Sequence, residues 1–189
     1  MWHNVPRSSG AREPCLSSTG SRISRTISWR SAAIFMRIRK SASRKPAPAP
    51  SSPTCWRPGA SPDNYRAMIR RGNCLSATVS DEVIGFAAAG RCGRELHLHE
   101  LSVARAHQGK GIGATLLRAL AIDARNCGLR AITLNTFRDI AWNAPFYARQ
   151  GFVEIENFEG REHLRDSHDA AVDLGMPGDR RCAMIKFLD

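Results

Sequence analysis

Val103-Ala104-Arg105-Ala106-His107-Gln108-Gly109-Lys110-Gly111-Ile112-Gly113-Ala114 joins a β-rich segment to an amphipathic helix. Three glycines between strand and helix let main-chain N–H groups converge on one point. That point is the positive end of a helix dipole, where a phosphate binds well. The helix that follows, Gly111–Cys127, sets Ile112, Leu116, Leu117, Leu120 and Ala121 in one stripe. Gly128 closes it.

Working outward, the strand before the loop spans Glu95–Val103, and the one after the helix spans Ala131–Asn135. A strand, helix and strand in this order predict two parallel neighbours. Upstream, Leu75–Val79 and Glu82–Ala89 read as a hairpin about Ser80-Asp81, with a second turn at Gly90–Gly93. A helix is expected from Ser61 and Pro62, with Tyr65, Met68 and Ile69 on one face and Gly72 at its end. Downstream come a short helix, Trp142–Gln150, a strand, Phe152–Asn157, a helix around Arg161–Val172 and a last strand, Arg181–Leu188. The fold class is α/β of the α+β type: a mixed, mostly antiparallel sheet with one parallel βαβ unit and flanking helices.

Charge divides the 189 residues in two. Residues 1–60 hold eleven Lys/Arg and one acid, Glu13, whereas residues 61–189 hold 17 Lys/Arg and 16 acids. The net charge of +11 therefore belongs almost wholly to the first segment, which removes most of the case for a nucleic-acid-binding domain. Salt-dependent DNA binding lost on deleting residues 1–60 would restore it. The run Lys45–Pro53 is Pro- and Ser-rich, and such composition cannot offset its chain entropy by burial. Residues 1–60 are read as a mostly disordered segment with one strand, Ala33–Ile38, and residues 61–189 as the folded domain. So abrupt a break is also what a wrong start site or an upstream change of frame would produce. No apolar run approaches the ~18 residues of a membrane span. The six cysteines form no C-x-x-C pair and no zinc spacing, so no metal is expected and the thiols are read as reduced, in a cytoplasmic protein.

Three phosphate loops compete for the opening stretch. A Walker A loop needs Ser or Thr where Gly111 follows Lys110. A dinucleotide fingerprint matches Gly109, Gly111 and Ala114, but Ala104–Gln108 separate it from the strand and no carboxylate ends the next strand. The third is the Q/R-x-x-G-x-G/A loop, fitted by Gln108-Gly109-Lys110-Gly111-Ile112-Gly113. A second block, Asn143-Ala144-Pro145-Phe146-Tyr147-Ala148-Arg149-Gln150-Gly151-Phe152, follows at matching order and spacing. Together the two blocks resemble the GNAT acetyltransferase superfamily, by element order over roughly residues 61–188 and specifically over 95–157.

That resemblance implies an acetyl-CoA-dependent N-acetyltransferase acting by direct transfer to a primary amine. The two parallel strands splay, and the pantetheine arm lies between them. Main-chain groups of Leu101, Ser102 and Val103 would pair with the arm. Amides of Gln108, Gly109, Lys110, Gly111, Ile112, Gly113 and Ala114 would hold the pyrophosphate, with the Lys110 charge either helping or solvated. Asn143 would bind the arm, cap its helix, or both. Tyr147 matches the family's general acid: a phenol of pKa about 10 can give its proton to a thiolate whose thiol has pKa about 8–9.

His97 and His99 share a strand face and resemble the His-x-His segment before the same loop in serotonin N-acetyltransferase. His99, with His97, is the first choice of base, and Glu100 the alternative. The competing reading makes all three polar side chains on the wetted face of a half-exposed strand. The acceptor is a small-molecule or peptide amine, a homodimer is allowed, and no membrane is involved. The acidic residues Glu154, Glu156, Glu159 and Glu162 either attract a cationic acceptor or form a solvated edge. The family's opening helix has no counterpart in the Pro-rich run, so the acceptor pocket is the least legible part. A non-catalytic acyl-CoA-binding module of the same fold is the alternative function.

Overall fold

The computed structural model describes Ser24–Ile27, Met36–Lys40, Asp63, Arg66, Met68, Ile69 and residues 74–188. Among these, strands β1 (Ser24–Ile27), β2 (Met36–Lys40), β3 (Cys74–Val79), β4 (Glu82–Cys92), β5 (Glu95–Val103), β6 (Ala131–Phe137), β7 (Val153–Ile155) and β8 (Arg181–Phe187) form one sheet. Its order is β1-β2-β3-β4-β5-β6-β8-β7, and every pairing is antiparallel except β5 with β6. Helices α1 (Ile112–Asn126), α2 (Ala144–Arg149) and α3 (Glu162–Asp173) flank it. This is the architecture the sequence predicted. No helix among the described residues is long and apolar enough to cross a membrane.

The β3–β4 hairpin turns on Ser80 and Asp81, with φ of 48° and 67°. Two consecutive positive φ values make a type I′ turn, whose twist matches that of the strands. Met36–Lys40 overlaps the strand expected at Ala33–Ile38 and pairs with β3. Ser24–Ile27 forms a strand inside a stretch expected to be mostly disordered. Pairing supplies the reason: each added strand satisfies the open edge of the one before it. The other expectations for residues 1–60 lie outside the described residues, as does most of the helix expected from Ser61, although Asp63, Arg66, Met68 and Ile69 are helical.

The α1 stripe packs as its periodicity requires. Ile112, Leu116, Leu117, Leu120 and Ala121 are all buried, against Leu75, Ile84, Leu96, Leu98, Ile132 and Leu134. Burying one such leucine stabilises the fold by about 1.5–3 kcal/mol. A smaller cluster of Met68, Cys74 and Ala88, with Phe86 against it, occupies the opposite face of β3 and β4.

Two expectations are corrected. Gly90 does not begin a turn: β4 runs on to Cys92, and the turn falls at Gly93-Arg94. Two cysteines are not reduced thiols. Cys92, ending β4, and Cys127, at the C-cap of α1, are disulfide-bonded, while Cys74 and Cys182 are free and buried. Sequence spacing could not reveal this, because the two half-cystines belong to different layers.

Candidate active site

β5 and β6 run parallel only from Glu95/Ala131 to Leu98/Leu134. Beyond Leu98 the strands part, and β5 continues to Val103 along β4 alone. The parting coincides with a β-bulge: Ala89 pairs with Leu98 and Ala88 with Glu100, so His99 is the extra residue. The bulge resets the alternation. Leu96 and Leu98 before it, and Leu101 and Val103 after it, all reach the α1 face. Ala104 N donates to Ile84 O, and strand residues alternate sides, so Leu101 and Val103 turn their main-chain groups away from β4. Those groups of Leu101 face the gap. The Val103 carbonyl accepts a hydrogen bond from Gln108 Nε2 at 3.0 Å. Ser102 lies between them, paired with Phe86.

One 3₁₀ turn, Arg105–His107, carries the chain from β5 to the loop. Lys110 Nζ donates to Ala106 O at 3.0 Å, which fastens the loop to that turn. Gly109 and Gly111 have φ of 73° and 76°, and a Cβ on either would meet nothing within 4 Å. Conformation, not crowding, therefore demands glycine there. Gly111 is the N-cap of α1, and the first turn, including Ile112, Gly113 and Ala114, contains no acid. The first N–H groups of a helix have no intrahelical partner. These amides, an open space and a dipole's positive end fit a diphosphate.

The second block meets the first in space. A Cβ on Gly113 would lie 3.4 Å from Phe146 Cζ, so α2 packs on the N-terminal turn of α1. Tyr147 sits on α2, its ring edge-on to Phe146 and Phe152 at 5.2 and 5.6 Å between centroids. Burial pushes its phenol up to about 12. Asn143 is the N-cap residue of α2, but its side chain makes no capping hydrogen bond. Of its two expected roles, capping by the side chain is not used.

The histidines occupy the other face of the sheet. His97 is 2 % exposed, and its ring meets His99 edge-on at 4.8 Å and His163 at 5.4 Å. His99 lies over Gly90, where a Cβ would come within 2.7 Å of its Nε2. Glu100, paired with Ala88, takes the same face, half-buried. The wetted-face reading thus fails for His97, which His163 of α3 covers, whereas His99 is half-buried. Sequence reasoning missed Thr133 and His163. Thr133 Oγ1 is 3.1 Å from His97 Nδ1 and 3.1 Å from His163 Nε2. Only the parallel register, His97 opposite Thr133, signals the first; nothing local signals the second.

Burial lowers all three imidazoles: His97 well below its usual 6.5, His99 to about 4, and His163 less steeply, because Glu95 pulls it upward. Each folded value lies below the unfolded one, so below pH 6.5 the unfolded chain binds more protons and stability drops as pH falls. Tm should therefore be lower at about pH 5 than at neutrality; calorimetry showing equal Tm values would contradict the burial of neutral histidines. Among the acids, Glu154 is held by Arg138 at 2.5 Å, and Glu156 and Glu159 are exposed. Among the described residues no group of three or more His, Cys, Asp or Glu is arranged to hold a metal ion.

A splayed parallel pair thus lies beside a glycine-rich helix start, with a phenol on one face and imidazoles on the other. The acetyltransferase (GNAT) family matches residues 41–152, and the chain belongs to it. The match begins at residue 41, within the segment read as disordered, takes in β3 to β6, α1 and α2, and ends at Phe152, just before β7. Among solved structures, the chain is similar to the N-acetylglutamate synthase of Neisseria gonorrhoeae complexed with coenzyme A and N-acetyl-glutamate, at 16% identity and TM-score 0.56. The similarity covers 70% of this chain but only 29% of the synthase. It is also similar to Rv2747 of Mycobacterium tuberculosis in complex with CoA, at 22% identity and TM-score 0.50, over 67% of this chain and 81% of that one.

Proposed function

We propose that this chain is an acetyl-CoA-dependent N-acetyltransferase that moves an acetyl group directly to a primary amine. The gap beyond Leu98 and Leu134, opening between the α1 amides and the buried histidines, is the observation that carries the reading. In it the amides from Gln108 to Ala114 hold the pyrophosphate, Leu101 and Asn143 orient the pantetheine arm, and Ser102 and Val103 line it. The Val103 carbonyl exchanges its Gln108 partner for the arm. Two solved relatives in fold contain CoA, which supports the co-substrate.

The amine enters from the histidine face. Desolvation there favours its neutral form, as it does for the imidazoles. Its nitrogen becomes acidic as the C–N bond forms, and at that moment His99 accepts the proton with His97 behind it. At about 4, His99 is unprotonated through the neutral range and therefore ready. The Tyr147 phenol, about 12, keeps its proton through the same range and offers it to the departing sulfur. The raised value makes full transfer costlier, so its main role is a hydrogen bond to the developing thiolate. The amine belongs to a small molecule or a peptide, handled by a monomer or a homodimer. A cytoplasmic location is part of this proposal, and the disulfide bonding of Cys92 and Cys127 weighs against it.

Two measurements test the reading. Thiol release from acetyl-CoA over a panel of primary amines should exceed hydrolysis for at least one. Release that no amine accelerates would favour the alternative, a non-catalytic acyl-CoA-binding module. In His99→Gln the acid limb of the pH–rate profile, expected near the His99 value of about 4, should flatten. If Glu100→Gln flattens it and His99→Gln does not, the carboxylate is the base.

A further inference from the structure

Thr133 is fully buried, and its hydroxyl bridges two imidazoles that come from different elements. A hydroxyl has one proton. It donates to one ring and accepts from the other, so the tautomers of His97 and His163 are locked together. Either both rings carry their proton on Nδ1 or both carry it on Nε2. His163 Nε2 also lies 3.7 Å from Glu95 Oε2, and Arg161 Nε donates to Glu95 Oε1 at 2.9 Å. The side chains of Glu95, His163 and Arg161 are 15, 11 and 27 % exposed, so this end of the chain of groups reaches solvent.

We propose that Thr133 and His163 are positioning residues that carry the proton taken up at the His99–His97 pair across the covered face of the sheet to His163, where Glu95 at the sheet's edge faces the charge. The proposal rests on the reading of that pair as the proton acceptor. The balance is simple when both rings start protonated on Nδ1. A proton arriving on His97 Nε2 forms one N–H bond. His97 releases its Nδ1 proton to Thr133 Oγ1, and the original Thr133 proton passes to His163 Nε2. His97 and Thr133 end neutral, and the positive charge rests on His163.

The direction follows from what surrounds each ring. His97 is enclosed by His99, His163 and the uncharged Thr133, and His99 by His97 and the Gly90 backbone, with Glu100 next to it on β5. His163 faces Glu95 on β5 and has Glu162 and Asp166 on its own helix. These three acids favour its charged form, against Arg161 and burial. The positive end of α3 adds to Arg161. Burial still holds His163 below its usual value, but it is the one ring of the three that a carboxylate in near contact pulls upward, so it is the proton's lowest seat in the cluster.

Histidine-selective long-range 1H–15N NMR on the full chain tests this. As pH is lowered, His163 should charge before His97 and His99. His97 and His163 should show one shared tautomer, which Thr133→Val uncouples and Thr133→Ser restores. In thiol release from acetyl-CoA with an accepted amine, Thr133→Val should lower kcat about tenfold with the KM for acetyl-CoA unchanged, and Thr133→Ser should recover it. Earlier charging of His97 or His99, tautomers indifferent to Thr133→Val, or unchanged kcat would each overturn the relay. Failure of the underlying reading is separate: it shows as a His99→Gln enzyme with a normal pH–rate profile, whatever the NMR reports.

Discussion

Tyr147→Phe should lower kcat by at least about tenfold and leave acetyl-CoA affinity within about twofold. The substitution removes one oxygen. The ring keeps its edge-on contacts with Phe146 and Phe152, and α2 keeps its seat on α1 through Phe146. Fold and cofactor grip should therefore survive, and the loss should fall on the step in which sulfur gathers charge. Burial holds the phenol at about 12, so the wild-type enzyme should show no alkaline limb from this group at lower pH. Steady-state kinetics with a titration of acetyl-CoA binding separates the two effects. Equal kcat in the variant would remove Tyr147 from the chemistry.

Gly111→Val should raise the Kd for coenzyme A by about tenfold or more and leave the protein folded, with a lowered Tm. Gly111 sits at φ 76°, a conformation that a β-branched residue avoids, and the space around it is open. The valine finds no clash, but at that φ its backbone is strained, so the fold loses some stability without unfolding. The loop must rotate, and amides aimed at the diphosphate turn away. A hydrogen bond to a charged group is worth about 1.5–3 kcal/mol, and 1.4 kcal/mol is a factor of ten. Unchanged affinity would mean the phosphates are held elsewhere.

The parts of this fold that the sequence made legible are those that local chemistry dictates. The α1 stripe, the Ser80-Asp81 turn and the βαβ crossover are written in residue spacing, and the structure has all three. The family could be read because two blocks, 103–114 and 143–152, occur in its order and spacing, and the family match spans both. What escaped depends on register between distant strands. The bulge at His99 cannot be seen in one strand, since it exists only relative to Ala88 and Ala89. For the same reason Gly90 looked like a turn residue, although its task is to leave room for the His99 ring. Thr133 looked like one more residue of a buried strand, and His163 fell in a polar stretch with no pattern. That Cys92 and Cys127 are disulfide-bonded, while Cys74 and Cys182 are free, is nothing a spacing rule anticipates.

The central claim is that the glycine loop at the start of α1 grips a diphosphate beside the parted strands. Isothermal titration of the folded full chain with coenzyme A tests it most directly. Saturable one-to-one heat is expected, weakened in Gly111→Val. Folded protein that gives no heat with coenzyme A or acetyl-CoA would contradict it.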